Sequence, residues 1–440
     1  MLFTLEQITR LAPDDASLKA AKGLASPGHW PTLGGGEAAL WGECKGSGAK
    51  PYQVQMDAAG PAFRCSCPSR KFPCKHGLAL LLLHTAQPQS FAAGPPPAWV
   101  EEWLASRRQK QESQAQKKSQ DAAPPDPQAA AKREAKRLER MSAGAEELQR
   151  WLLDQTRQGL ANLRGGGVDW RGLAARMVDA QAPGLGRRVQ ALESLAASDE
   201  DWAGRLLGAM GQLQLLLDGW QRRAELSPPR QADLRTAMGW PQDKDDVLQT
   251  GEHLAEPWEA LGLAVEENDK LWERRVWLRG ATSGRRALLL DFAHGHPVFE
   301  PLFSIGATYQ MTLAFYPGAW PRRAVAVAPP RLVANAFSSR PASLDAEFSL
   351  VADALAANPW ATLWPVWLGE TRLVFEQGAW LALIPPDSQL LLQITDDDAW
   401  ALAALGGGRA LTLFGEWDGE RLRPLSAWAE RLLWTAGGPH

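Results

Sequence analysis

The sequence predicts an α+β multidomain protein: a ββα module near the N-terminus, a central helical bundle and a C-terminal β domain rich in tryptophan. Three observations support this prediction. The chain has 440 residues, more than one hydrophobic core usually organises. Apolar residues recur at helical spacing in its centre. Downstream, the pattern changes to short apolar runs bounded by Gly, Pro and Asp, which is typical of strands.

The composition excludes two broad classes of protein. The formal net charge is −3, with 22% charged and 45% hydrophobic residues, so the chain is neither a polycationic nucleic-acid coat nor a disordered acidic tail. Its start, "MLFTLEQITRLAPDD", lacks the regions of a signal peptide, and its longest apolar run, "GLALLLLHTA", is too short to span a bilayer. We therefore expect a cytoplasmic protein that does not enter a membrane.

The N-terminal domain is predicted to cover residues 1–105. The segments "TLEQITRLA" and "DDASLKAAKGLA" are interpreted as helices, and "WPTLGGGEAALWGECKGSGAK" as loops. Tyr52, Val54 and Met56 alternate with polar residues, and a second short strand follows a turn at Ala62–Cys65, which predicts a hairpin. From Gly77 onward, "GLALLLLHT" has no strand alternation and predicts a buried helix.

The remaining boundaries follow from changes in composition. Residues 106–130 are rich in Gln, Ser, Lys and Pro and predict a flexible linker. Residues 131–250 predict a helical domain, and residues 251–440 a β-rich domain that holds twelve of the 21 tryptophans, which suit strand faces. Within the helical domain the expected helices cover 131–164, 169–180 and 185–223.

Three of the four cysteines cluster in "FRCSCPSRKFPCKH". In a reducing cytosol, clustered cysteines favour metal binding or catalysis over disulfides. Cys65 and Cys67 are two apart and can point to one face of an extended strand, while Cys74 and His76 lie at the entry to the apolar helix. Three thiolates and one imidazole form a tetrahedral set that zinc favours. We therefore predict one structural Zn²⁺ bound by these four residues.

Basic residues surround this cluster: Arg64, Arg70, Lys71 and Lys75. Cations near cysteines favour the thiolate form, and the same side chains are candidates for contacts with nucleic-acid phosphates. Three alternatives remain for the cluster: four reduced core residues without metal, a disulfide, and a catalytic thiol. The last lacks a convincing base and orienting group in the neighbouring sequence.

The segment "CSCPSRKFPCKHGLALLLL" resembles the SWIM-type zinc finger, in which C-x-C, a variable gap and C-x-H lie on a ββα unit. All four ligand positions match, so the resemblance assigns the ligand roles to Cys65, Cys67, Cys74 and His76, within a finger at about residues 50–85. The segments "ALWGECKGSGAKPYQVQMD" and "FYPGAWPRRAV" also look like a group of bacterial proteins with one such finger. Fingers of this type occur in chromatin-remodelling ATPases, plant transposases and a signalling kinase, and are thought to bind DNA or other proteins.

Other candidates are interpreted as structural. Cys44 is expected to be a core residue, and His84 to flank the apolar helix rather than compete as a ligand. The segment "DFAHGHPVFE" offers a second candidate metal set at an expected turn: Asp291, His294, His296 and Glu300. "RGGGVD" and "LGGGRA" lack the lysine of a phosphate-binding loop, and the carboxylates of "QITDDDAW" are interpreted as solvated.

The functional expectation is a non-enzymatic binding protein, because a closed four-ligand zinc site leaves no position for water or substrate. The first hypothesis is a protein partner, which needs no overall positive charge. The second is DNA or RNA, bound through the basic residues around the cluster. A third is an enzyme whose site lies unrecognised in the β domain.

Overall fold

The structure, a computed structural model, describes residues 5–437 except for 37–38, 47–49, 58–61, 70, 108, 110–126, 165, 199–200, 269–270, 296 and 335–338. It is an α+β fold, as the sequence predicts, and the described residues form three sheets. No described helix has both the length and the apolar character that a membrane crossing requires.

The N-terminal domain is built on a five-stranded sheet with the order β4-β3-β2-β1-β5. Its strands are β1 (Thr32–Gly35), β2 (Ala39–Cys44), β3 (Tyr52–Asp57), β4 (Ala62–Cys65) and β5 (Ala92–Ala93). Its helices are α1 (Leu5–Arg10), α2 (Asp15–Leu24), α3 (Lys75–Ala86) and α4 (98–107). The predicted hairpin is confirmed as β3 and β4, and the buried helix as α3.

The prediction of loops over "WPTLGGGEAALWGECKGSGAK" is wrong, because β1 and β2 lie there and pair antiparallel. Glycines obscure the alternation of apolar residues in this segment. Their lack of a side chain leaves room for tryptophan rings: a Cβ at Gly34 would overlap the ring of Trp41, and one at Gly42 would lie 2.8 Å from the ring of Trp30. These strands therefore need glycine for side-chain packing that only the folded sheet reveals.

The central bundle contains α5 (Pro127–Gln158), α6 (Trp170–Asp179), α7 (Pro183–Ala197), α8 (Trp202–Gln221) and α9 (Pro228–Met238). The predicted helix at 185–223 is in fact two helices, α7 and α8. Ser198 leaves the helix in an extended conformation, and Asp201 adopts a left-handed one with φ of 34°. Both conformations are incompatible with a continuous α-helix, so α7 ends at Ala197 and a separate helix begins at Trp202.

The predicted linker is largely outside the described residues. Helical structure is described at 98–107 and resumes at Pro127, within the C-terminal end of the predicted linker at 106–130. The linker itself and the domain boundaries drawn around it stay predictions.

The C-terminal part contains two closed barrels. After α10 (Lys244–Thr250), the first barrel comprises β6 (Glu252–Asn268), β7 (Leu271–Gly280), β8 (Arg286–His294), β9 (Thr308–Phe315) and β10 (Arg323–Ala326), with β11 (Arg331–Ala334) beside β9. Its order is β8-β7-β6-β9-β10, and a parallel pairing of β10 with β8 closes it.

The second barrel follows α11 (Leu344–Ala357). It comprises β12 (Trp364–Glu376), β13 (Ala379–Ile384), β14 (Ser388–Leu392), β15 (Leu411–Trp417) and β16 (Arg421–Trp428), with β17 (Leu432–Thr435) beside β16. The helix α12 (Asp396–Gly406) lies between its third and fourth strands. The order β14-β13-β12-β15-β16, closed by a parallel pairing of β14 with β16, repeats the connectivity of the first barrel.

This duplication is a structural repeat for which the sequence shows no exact counterpart. Each unit is a five-stranded barrel whose third and fifth strands pair in parallel, the connectivity of the OB-type Greek-key barrel. The two barrels share a core, where a Cβ at Gly262 of β6 would lie 2.6 Å from the ring of Phe414 of β15. Glycine at this position therefore permits the close approach of the two barrels.

Candidate metal centre

The local fold brings the four predicted ligands together from three directions. Cys65 is the last residue of β4 and pairs with Val54, while Cys67 lies just beyond the strand. The loop that follows returns the chain to α3, where Cys74 is the N-cap residue and His76 lies in the first turn. The Cys74 side chain makes no capping hydrogen bond, so its sulfur serves the cluster instead of the helix terminus.

The geometry of the cluster suits a single zinc ion. The three Sγ atoms and a ring nitrogen of His76 all lie within 4.8 Å of one another, and the Sγ of Cys65 is 3.8 Å from Nδ1 of His76. Tetrahedral ligands at the Zn–S distance of about 2.3 Å are separated by about 3.8 Å. The four ligand atoms thus need only a small contraction around one Zn²⁺, and this ligand set closes the coordination shell.

The three thiols and the imidazole of the cluster share protons through hydrogen bonds. Hydrogen bonds from Cys65 and Cys74 lower the pKa of Cys67, and the same sharing of protons raises the pKa of Cys65. Burial alone would lower the pKa of His76, but its hydrogen bonds to the sulfurs of Cys67 and Cys74 raise that pKa to about 9. The metal-free cluster therefore holds protons that Zn²⁺ would displace, and zinc binding releases them.

The apolar surroundings fix the ligands in position. His76 is only 4% exposed, and its ring centroid lies 5.0 Å from that of Tyr52 on β3. A Cβ at Gly77 would contact the ring of Phe63 at 3.3 Å, so α3 packs closely on the hairpin. The helix is apolar on all sides and belongs to the core of the N-terminal domain, as expected for a fully buried helix.

The basic residues near the cluster differ in their availability. Arg64 and Lys75 are exposed. Lys71 pairs with Asp14 at 2.7 Å, and this hydrogen bond lowers the pKa of the Asp14 carboxyl. Arg70 lies outside the described residues. The contacts of all four with nucleic acid stay predictions.

The other candidates do not join a metal cluster within the described residues. Cys44 is fully buried in the N-terminal core, and burial raises its pKa to about 11, as expected for a structural thiol. His84 packs edge-on against Phe91 at 4.9 Å. In the predicted second set, Asp291 pairs with Arg274, Glu300 pairs with Arg107, and His294 is exposed at the end of β8. His296 lies outside the described residues.

A ββα unit with a closed Cys₃His cluster defines a small structural zinc-finger domain. The comparisons with known families specify it further: residues 52–84 match the SWIM zinc finger, and residues 136–238 match the SWIM-associated four-helix bundle domain. The chain thus carries a zinc-binding SWIM finger followed by its associated bundle. No curated protein and no solved structure is significantly similar to the chain.

Sequence reasoning missed two surfaces that the fold assembles. One is an aromatic cluster on the second barrel, formed by Phe375, Trp380 and Trp400, whose members are scattered over 26 positions from three elements. The other is a groove on the bundle with basic residues from α5 and α9. The spacing of Arg133, Arg137 and Arg140 in "KREAKRLER" is a helical signal that could have indicated the second surface.

Proposed function

We propose that this protein is a non-enzymatic protein-interaction module in which a structural zinc ion stabilises the N-terminal domain and the second barrel binds a partner protein. The observation that supports this proposal is the aromatic cluster on that barrel. Phe375 is 50% exposed and Trp400 is 59% exposed, although both rings pack against the buried Trp380. Aromatic side chains held rigidly at a surface are typical anchors of protein interfaces.

The surroundings of this cluster favour a protein over a nucleic acid. No residue of β13 or β14 carries a charge. Two acidic residues lie in the first turn of α12, three and four positions before Trp400: Asp396 and Asp397. Asp396 also accepts a hydrogen bond from Nε1 of Trp380 at 3.1 Å. An apolar surface edged with carboxylates repels phosphates and complements a basic segment that carries an apolar anchor.

We expect Trp400→Ser to abolish retention of a partner protein by the zinc-loaded chain, because it removes the most exposed anchor. Cross-linking with mass spectrometry on complexes isolated from the native cell should place a basic segment of that partner beside β12 and α12. The matched control is Leu215→Ser on α8, which is equally exposed at 62% but lies far from the cluster in sequence and on another domain. Equal retention by both variants, or cross-links confined to other elements, would contradict the assignment of the surface.

Nucleic-acid binding by the finger is the second candidate, supported by the exposed Arg64 and Lys75. Since Lys71 is engaged by Asp14, we expect weak or undetectable DNA and RNA binding near physiological salt. The finger would be a nucleic-acid site if it bound with sub-micromolar affinity and a log–log salt slope of roughly −3 to −4. That binding would also have to disappear when Arg64, Arg70, Lys71 and Lys75 become alanine while zinc is retained.

A further inference from the structure

A basic groove of about 590 Å³ lies on the helical bundle, and its residues are far from the finger in the sequence. It runs between α5, the turn after α6 and the C-terminal end of α9. The residues that form this basic groove are Arg133, Glu134, Lys136, Arg137, Arg140, Gln181, Arg235 and Trp240. Five of the eight are cations and one is a carboxylate, so the groove concentrates positive charge in a chain whose net charge is negative.

The cations of α5 occupy adjacent positions on one face of the helix. Arg133 and Arg137 are separated by four residues, as are Lys136 and Arg140, and like charges at this spacing repel each other. The side chains of Arg133, Lys136 and Arg140 form no hydrogen bond or ion pair within the described part of the chain. On a helix face that contacts only water, this repulsion between cations is unfavourable. An anion bound in the groove would be attracted to all of these cations and would offset their repulsion.

Two arginines of the groove are held in fixed positions by Trp240. The guanidinium carbons of Arg137 and Arg235 lie 5.5 and 5.0 Å from the centre of its ring. Nε of Arg137 donates to Gln181 at 3.1 Å, and Arg235 pairs with Glu134 at 3.1 Å. Guanidinium groups ordered in this way lose little entropy when they bind an anion in bidentate fashion.

The tryptophan is itself held by the end of α9. Gly239 adopts a left-handed conformation with φ of 88°, and the backbone N–H of Trp240 donates to the carbonyl of Arg235 at 2.8 Å. This is the hydrogen-bond pattern of a Schellman motif, in which glycine fits without strain. The helix terminus therefore fixes the position of Trp240 relative to both arginines, so the groove is preformed.

From these contacts we infer that the basic groove binds a small ligand with a chain of phosphoryl groups, such as a nucleoside triphosphate or a short inorganic polyphosphate. A terminal phosphate carries about −1.5 to −2 charges at pH 7, so several linked phosphoryl groups match the clustered cations. The concave shape and volume suit a compact ligand, and arginine forks suit phosphate oxygens. This site is separate from the surface of the second barrel that we propose to bind a partner protein, and the inference does not depend on that proposal.

The test is isothermal titration of the zinc-loaded full chain with tripolyphosphate, ATP and adenosine. We expect tripolyphosphate and ATP to bind and adenosine not to bind. Equal affinity for tripolyphosphate and ATP would show that the groove recognises the phosphoryl chain alone. Tighter binding of ATP would show that the ligand is a nucleotide whose nucleoside part also contacts the protein. No binding of either phosphate ligand at millimolar concentration would overturn the inference.

Two groove variants and a control locate the site. Arg137→Ala together with Arg235→Ala should weaken binding by at least about tenfold, because two charge-assisted donors are lost. Lys136→Ala together with Arg140→Ala should also weaken binding, and these exposed side chains have no described partners whose loss would disturb the fold. Arg150→Ala, an exposed cation on the same helix but outside the groove, should leave affinity unchanged. Equal affinity of all variants, or tighter binding of a single-stranded oligonucleotide than of ATP, would refute a small-ligand site.

Discussion

Removal of zinc is expected to unfold the N-terminal domain while the helical bundle and both barrels stay folded. Structural zinc contributes on the order of 10 kcal/mol in comparable finger peptides. Here the metal would join β4 to α3, and α3 supplies much of the N-terminal core, so the loss should spread from the finger through the five-stranded sheet. The cores of the bundle and of the barrels are distinct from that of the N-terminal domain, so these parts should be unaffected. Hydrogen exchange before and after chelation of the zinc measures the loss of protection in each domain. A uniform loss of protection along the chain would contradict the prediction that only the N-terminal domain unfolds.

The same prediction requires one tightly bound zinc per chain in protein purified without added metal. Replacing Cys65 and Cys74 together with alanine should bring the zinc content close to zero, because two ligands cannot hold a structural ion in a closed site. Cys44→Ala is the matched control, since it removes a buried thiol of the same domain that lies outside the cluster. Zinc retained by the double variant, or a wild-type content near zero, would show that the four residues are not the ligands.

The zinc cluster could be predicted from sequence because its four ligands are close together in the chain. Cys65, Cys67, Cys74 and His76 lie within twelve positions, and their spacing on a hairpin and a helix entry already restricts their geometry. The apolar run of α3 is equally explicit, since a helix that is hydrophobic on every side must be buried. In both cases neighbouring residues carry the signal.

The barrels could not be predicted because their closure is non-local. The pairings of β10 with β8 and of β16 with β14 are parallel and join segments 35 and 30 residues apart, with another strand of the chain between them. Short apolar runs predict strands but do not specify their partners. The basic groove has the same difficulty, because Arg137 of α5 and Arg235 of α9 come to lie against Trp240 only when the bundle has folded.

Replacing Arg275 is expected to destabilise the contact between the two barrels more than any exposed arginine would. Arg275 on β7 is buried and donates five hydrogen bonds: two to Glu416 of the second barrel, two to Glu266 and one to Glu273. These match the five N–H donors of a guanidinium. Burial opposes its charge, but the bonds to Glu266 and Glu416 outweigh that effect and raise the pKa of Arg275.

The expected cost comes from the carboxylate that would remain. Glu416 is 1% exposed and also accepts a hydrogen bond from Nε1 of Trp277 at 2.7 Å. In the Arg275→Met variant, Glu416 would lose its positive partner in a buried position, which typically costs about 3–5 kcal/mol. Hydrogen exchange of β6, β7, β15 and β16 measures this as a loss of local stability. The control, Arg331→Ala at an exposed position of β11, should change it by less than about 0.5 kcal/mol.

Two further readouts separate the loss of the ion pair from a general packing defect. Adding Glu416→Gln to Arg275→Met removes the unpaired charge and keeps an acceptor for Trp277, so it should restore part of the lost stability. Hydrogen bonds from Arg275, and secondarily one from Arg423, lower the pKa of Glu266 from 4.5 to about 2. Because the folded-state pKa is depressed, this contribution is present above the unfolded value of 4.5 and is lost as the pH falls towards 2. The loss of folding stability between pH 4.5 and 2 should therefore be smaller in Arg275→Met than in the wild type. If the pH dependence of stability is unchanged and Glu416→Gln restores no stability, packing rather than charge joins the two barrels.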